Sequence, residues 1–239
     1  GPVHVWDNEL LRDPDPNGLE SYCLETELPG DLPVGMGLAG AVDGDGVLVF
    51  GPNLGMEGEQ VRAPVDGKVL AGWNGLMLAA LARAAREWND PGLRAAAARV
   101  RNFLRERLWD GTRLRRALSG GRELGRASLA DYAYVAYGMA RYAELSGDPA
   151  DRTFVAALRS MAWQRFHGPG GWRMDDEPLI PGMGEDTAMP EGALPAPSAL
   201  LIHIALESDD PAVAAQGVMA AQLGRRQAQE EPFWYSGHH

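Results

Sequence analysis

Three short stretches decide the fold: Trp88-Asn-Asp-Pro-Gly92, Gly147-Asp-Pro-Ala150 and Ser208-Asp-Asp-Pro-Ala212. Each places an Asp-Pro pair between two segments whose apolar residues recur three and four apart, the helical period. Proline fixes φ near the helical value and lacks an N–H that a first turn would leave unused, while the residue before it is pushed out of the helical region. Asp90-Pro91, Asp148-Pro149 and Asp210-Pro211 therefore each end one helix and begin the next. The pairs lie 58 and 62 residues apart, and aromatic and glycine residues recur after each second helix: Leu108-Trp109-Asp110-Gly111, Phe166-His167-Gly168 and Phe233-Trp234-Tyr235-Ser236-Gly237. This is a repeated helical hairpin, a unit that buries its face by stacking on its neighbours.

Working outward, the pattern predicts six helices over 74–88, 92–108, 129–146, 151–166, 196–208 and 212–229, in hairpins of about 73–108, 128–166 and 191–229. The first helix of each pair is apolar nearly all round, as in Gly75-Leu-Met-Leu-Ala-Ala-Leu81 and Ala199-Leu-Leu-Ile-His-Ile-Ala205. The second carries a charged face, as in Leu93-Arg-Ala-Ala-Ala-Ala-Arg-Val-Arg-Asn-Phe-Leu-Arg-Glu-Arg107. An apolar helix is enclosed and an amphipathic one faces water, so the expectation is a mainly α fold: an inner row of helices wrapped by an outer row, a partial α/α toroid of three hairpins. Residues 1–70, rich in Gly, Pro and Asp with short β-like runs such as Gly46-Val-Leu-Val-Phe50, read as an irregular, short-stranded segment packing on the toroid of residues 71–239.

Composition narrows the function. The 239 residues are 45% hydrophobic, enough for a substantial core, and carry a formal charge of −11. That balance argues against a grip on phosphate backbones or anionic membranes, so neither nucleic acid nor membrane is an expected partner and an uncharged, cationic or sugar-like small molecule is. The longest apolar runs fall well short of the roughly 20 residues of a membrane span. The lone Cys23 suits a reducing, cytoplasmic setting. No Walker loop, Rossmann glycine pattern or Ser-His-Asp signature is present, so no cofactor is expected. Asp43-Gly-Asp-Gly46 is turn chemistry lacking the further ligands of a calcium loop, so no metal is expected either.

The segment Asp66-Gly-Lys-Val-Leu-Ala-Gly-Trp-Asn-Gly-Leu-Met-Leu78 closely resembles a signature of the YyaL-type, spermatogenesis-associated thioredoxin-domain proteins. Ser128-Leu-Ala-Asp-Tyr-Ala-Tyr134, Gly170-Gly-Trp172, Glu177-Pro-Leu-Ile180 and Val3-His-Val-Trp-Asp-Asn-Glu-Leu10 resemble further segments of that family. The resemblance implies a toroid related to N-acylglucosamine 2-epimerases and six-hairpin glycosidases. It also implies a thioredoxin-like domain and about three hairpins without counterpart here, supplied by a second chain or by a homo-oligomer. Glu191-Gly-Ala-Leu-Pro-Ala-Pro-Ser-Ala199 departs from the family, with Ala196-Pro197 where a Gly-Asn pair is usual.

Loops entering the inner helices of a toroid line one mouth of its cavity, which makes polar residues there the candidates. Three clusters qualify: Trp73-Asn74, Asp131-Tyr132, and Glu185-Asp186 with Glu191. Asp131 is a candidate general acid or base, or the N3 member of a capping box with Ser128. Paired with Glu191 it would supply the two carboxylates of a glycosidase or epimerase. Trp73 and Tyr132 suit stacking on a sugar ring, or packing between inner helices. Asn74 suits a ligand hydroxyl, or an N-cap. His203 is a candidate for proton transfer, or a hydrogen-bonded core histidine. The expected function is part of a toroid enzyme using acid–base chemistry on a carbohydrate-like or other small organic substrate, of epimerase, hydrolase or rearrangement type. The alternative is a non-catalytic subunit completing a toroid with a partner chain.

Overall fold

The computed structural model describes residues 67–177 and 185–238, together with the backbone of four strands nearer the start of the chain: Asp13–Pro14 (β1), Glu20–Thr26 (β2), Val34–Val42 (β3) and Leu48–Gly55 (β4). The segments Val3 to Leu10, Asp43-Gly-Asp-Gly46 and Pro178 to Ile180 discussed above lie outside the described residues. The chain divides into two compact units, Gly1–Val69 and Leu70–His239. In the first, the four strands form one antiparallel sheet in the order β1-β2-β3-β4, with Cys23 opposite Gly37 and Gly40 opposite Phe50. The short-stranded reading of this part of the chain is met by these strands. Strands of seven to nine residues form where Gly and Pro frequency points to irregular backbone, because ladder partners on both sides of β2 and β3 outweigh weak local propensity.

The second unit is mainly helical, in three hairpins. After a two-residue strand, Val69–Leu70 (β5), come Ala71–Glu87 (α1) and Pro91–Phe103 (α2), which runs on as one π-helical turn, Leu104–Leu108. Then come Leu129–Ser146 (α3) with Pro149–Phe166 (α4), and Pro197–Leu206 (α5) with Pro211–Glu230 (α6). The Asp-Pro reading holds in detail. Pro91, Pro149 and Pro211 open the second helices, and Asp90, Asp148 and Asp210 cap them by accepting from the backbone N–H of Leu93, Ala150 and Ala212 at 2.8–2.9 Å.

Helices α1, α3 and α5 form an inner row, α1 against α3 and α3 against α5, and each outer helix packs on its own partner. Leu78, Val135, Met139, Leu158, Phe166 and Leu201 are fully buried between the rows, each side chain stabilising the fold by roughly 1.5–3 kcal/mol relative to exposure. The most extensive contact, α1 with α3, closes through glycine. A Cβ on Gly138 would stand 2.1 Å from the Gly75 carbonyl oxygen, and one on Gly75 2.5 Å from the Tyr134 carbonyl. A fully buried carboxylate, Asp151, ties three helices together: Arg101 Nε of α2 donates to it at 2.7 Å and Ser146 Oγ of α3 at 2.9 Å.

Between the first two hairpins lies an element that the helical period did not foreshadow, the antiparallel pair Arg115–Ser119 (β6) and Arg122–Arg126 (β7). Gly120 and Gly121 turn it with φ of 54° and 79°, the left-handed backbone a two-residue hairpin turn requires. A smaller pair, His167–Gly168 (β8) with Gly171–Trp172 (β9), follows α4. No helix among the described residues is long and apolar enough to cross a membrane.

Candidate functional site

The N-terminal ends of α1 and α3 meet at one place. Helix α1 starts at Ala71, three residues before the expected start, because its N-cap position is Leu70, which has no capping side chain. Asn74 is therefore not an N-cap. It lies one turn inside, 1% exposed, with Nδ2 donating to the Leu70 carbonyl at 2.9 Å and Oδ1 without a partner. So placed, its amide closes the helix start and is shielded from a ligand approaching the surface. Trp73, one residue earlier, keeps 41% of its surface open.

The uncapped start of α1 lies against the start of α3. Asp131 accepts from the Ser128 backbone N–H at 2.9 Å and from Ser128 Oγ at 3.0 Å, the expected capping box. The Gly72 backbone N–H lies on the same side and acts to lower that carboxyl, and a Cβ on Gly72 would stand a tight 3.2 Å from Oδ1. The one side chain thus caps α3 and stands against the first turn of α1. Arg116 Nε, on β6, stands 4.0 Å from Oδ2. Burial pushes the Asp131 carboxyl above the usual carboxylate range, opposed by the two Ser128 hydrogen bonds, Arg116 and Gly72. Arg116 is announced in the sequence only indirectly, through the Gly120-Gly121 turn of the β6–β7 pair that carries it.

Tyr132 is fully buried. Its hydroxyl accepts from the Leu114 backbone N–H at 2.9 Å and its ring lies 5.6 Å from Phe166, so it is a packing residue with no face left for a sugar. The neighbouring Tyr134 reaches the third inner helix instead, its hydroxyl donating to the Pro195 carbonyl at 2.8 Å. Burial first, and the Asp131 charge second, push the Tyr134 phenol up to about 12. Tyr134 is a second residue that sequence reasoning passed over, since an aromatic at helical spacing reads as core.

Glu191 lies in the loop before α5. Its carboxylate accepts from the Ser236 hydroxyl and from the Gly237 N–H, the latter at 3.1 Å, and its own N–H donates to the Trp234 carbonyl at 2.6 Å. Glu185 and Asp186 go elsewhere. Glu185 accepts from Gly170 N at 2.6 Å and Asp186 pairs with Trp172 through the backbone, both bracing the β8–β9 turn. His203 is about half exposed and neither core nor mouth: its Nε2 sits 3.1 Å from Glu207 Oε1. Six residues beyond the start of α5, it is about 9 Å along the axis from the mouth. There Arg141 pairs with Glu207 and Glu144, and Arg86 with Glu144, in a surface network that takes in the histidine.

Two cavities, of about 380 Å³ and 430 Å³, lie beside these residues rather than at them. One is lined by Leu206, Val218 and Arg225, the other by Arg113, Arg126, Arg165, Asp176 and Glu177. No group of three or more His, Cys, Asp or Glu side chains among the described residues is arranged to hold a metal ion.

No family model matches the chain, and no curated protein matches it in sequence. Solved structures do match. Cellobiose 2-epimerase from Spirochaeta thermophila aligns with a TM-score of 0.52 at 16% identity, over 67% of this chain and 44% of that one. Cellobiose 2-epimerase from Bacillus thermoamylovorans aligns at 0.54 and 9% identity, over 70% and 47%. An unsaturated glucuronyl hydrolase from a Bacillus species, responsible for degradation of glycosaminoglycan, aligns at 0.52 and 18% identity, over 76% and 51%. Both kinds are α/α toroid enzymes. The chain is therefore a partial α/α toroid, and it spans about half the length of the structures it matches.

Proposed function

We propose that this chain forms part of an α/α-toroid enzyme that processes a carbohydrate by acid–base chemistry at the N-terminal ends of its inner helices. The observation that carries the reading is Asp131: a carboxyl buried where α1 and α3 begin, with its proton affinity raised by burial. A carboxyl whose proton affinity is raised holds its proton to higher pH than an exposed one and can deliver it in the transition state. Glu191 is the second carboxylate, taking or returning a proton on the α5 side, and Trp73 offers its open ring to the substrate. The fold neighbours, named for a disaccharide epimerase and a glucuronyl hydrolase, support a sugar as the substrate class. Epimerisation and hydrolysis each need one group that gives a proton and one that takes it, the parts assigned here to Asp131 and Glu191. The sequence resemblance of residues 66–78 and 128–134 supports kinship with the YyaL-type family, with a cytoplasmic setting and a second chain or further copy completing the ring.

The second reading is a non-catalytic subunit, and the bonds made by Asp131 favour it: a carboxylate that accepts two hydrogen bonds in the capping box of α3 is structurally committed. One experiment separates the two. Asp131→Asn and Glu191→Gln are assayed for turnover of cellobiose and of an unsaturated glucuronyl disaccharide, alongside thermal unfolding. The enzyme reading expects turnover to vanish in both variants with the melting midpoint within a few degrees of the parent. A large fall in midpoint for Asp131→Asn with turnover per folded molecule unchanged would sink it.

A further inference from the structure

The acid–base reading makes no use of the segment that follows α6. After Glu230 the chain turns back to the loop ahead of α5, where the Trp234 carbonyl, the Ser236 hydroxyl and the Gly237 N–H all engage Glu191. Gly237 permits this approach, since a Cβ there would lie 2.5 Å from Glu191 Oε1. Tyr235 anchors the turn from inside: it is buried, and its hydroxyl accepts from Gln227 Nε2 at 2.5 Å while Gln227 Oε1 accepts from Thr187 Oγ1 at 2.7 Å.

Within this pinned turn two large rings face outward. Phe233 is 80% exposed and Trp234 52%, and they meet edge to face with centroids 5.1 Å apart and planes at 84°. Adjacent large aromatics held open on a backbone that is tied down immediately afterwards by Tyr235, Ser236 and Gly237 are unlike the scattered single apolar residues normal on a surface. Their neighbour is a carboxylate. A pyranose ring has the matching chemistry: a face of C–H groups that stacks on an indole, and hydroxyls around its edge that donate to a carboxylate.

We propose that Phe233 and Trp234, held beside Glu191 by the turn of residues 234–237, form a stacking platform for a pyranose unit at the rim of the mouth. This rests on the carbohydrate reading above and adds a binding subsite to it. Trp234 supplies the flat face, Phe233 fixes the indole by its edge contact, and Glu191 stands at the end of the platform nearest α5.

The test is the affinity of the full chain for cellobiose, measured by titration calorimetry and by ligand-observed NMR. Trp234→Ala is expected to weaken binding about three- to ten-fold, the range of an aromatic contact, and Trp234→Phe to recover most of the loss. Both rings are exposed, so the variants are expected to melt with the parent, which unfolding scans check. If the parent binds cellobiose and Trp234→Ala binds it equally well, the platform is refuted and the carbohydrate reading stands. If the parent binds no cellobiose at high millimolar concentration while remaining folded, both fall together.

Discussion

Gly138→Ala tests the packing that builds the mouth. In an isolated helix the change is favourable by about 1 kcal/mol, because alanine loses less backbone freedom than glycine on folding. Here the added methyl would lie 2.1 Å from the Gly75 carbonyl oxygen and 2.9 Å from its carbon. Those atoms are backbone in the middle of α1 and have no rotamer to change. Restoring ordinary contact requires α1 and α3 to part by roughly 1 Å, and a gap of that size forfeits up to half of the dispersion energy of each contact along the seam. Overpacking of this kind costs about 1–3 kcal/mol and occasionally more, and the extent of the α1–α3 contact places it at the upper end. The expected net loss is about 3 kcal/mol, which for a unit of this size lowers the melting midpoint by about 6–12 °C. Circular dichroism melts and urea titrations of parent and variant measure it directly. A variant as stable as the parent, or more stable by the 1 kcal/mol that helix propensity alone provides, would refute the backbone-to-backbone seam. Because the seam also brings Gly72 to Asp131, the same variant is expected to loosen that approach.

Other outcomes follow from single contacts. Arg101→Ala leaves the fully buried Asp151 carboxylate with Ser146 and a more distant Arg105, and is expected to cost about 3–5 kcal/mol, read from urea midpoints; Asp151→Asn added to it recovers part of the loss. Tyr132→Phe removes the acceptor of the buried Leu114 N–H and is expected to cost about 1–3 kcal/mol while leaving any sugar affinity intact, which calorimetry checks. The backbone N–H groups of Thr112 and Arg113 lower the Asp110 carboxyl from 3.8 to about 2. A lowered folded-state value means that this stabilisation is complete above pH 3.8 and is lost as the pH falls toward 2. Asp110→Asn is therefore expected to be less stable than the parent at pH 6, with the difference closing near pH 2.

The hairpins were legible because their signal is local. A proline at the first helical position and an aspartate before it act through their own backbone, so Asp90, Asp148 and Asp210 cap as their sequence says. The inner and outer rows were legible because charge distribution round a helix reports its burial. The β6–β7 pair had a signal that was passed over, the Gly120-Gly121 turn between two short runs, and with it went Arg116. What could not be read were the partners a residue finds from far along the chain. Tyr132 reads identically as a platform or as core until Phe166 and Leu114 are placed around it. His203 sits in the most apolar run of α5, yet its ring lies half exposed beside Tyr137 of α3 and Glu207. The double role of Asp131 depends on a helix start 59 residues away. The turn at 234–237 depends on Glu191, more than 40 residues earlier.

The glycine seam also decides where the row of helices can bend. Side chains between two helices are spacers that can change rotamer and let the axes slide. At Gly75 and Gly138 no such spacer exists, so backbone meets backbone and the two axes have no rotamer change by which to slide. The boundary between α3 and α5 is fastened differently, by the Tyr134 hydroxyl on the Pro195 carbonyl at one end and by Arg141 with Glu207 at the other. Water can take the place of either tie. The α3–α5 boundary thus holds the Glu191 side, with its aromatic turn, through side chains, where the α1–α3 seam holds the Asp131 side through backbone.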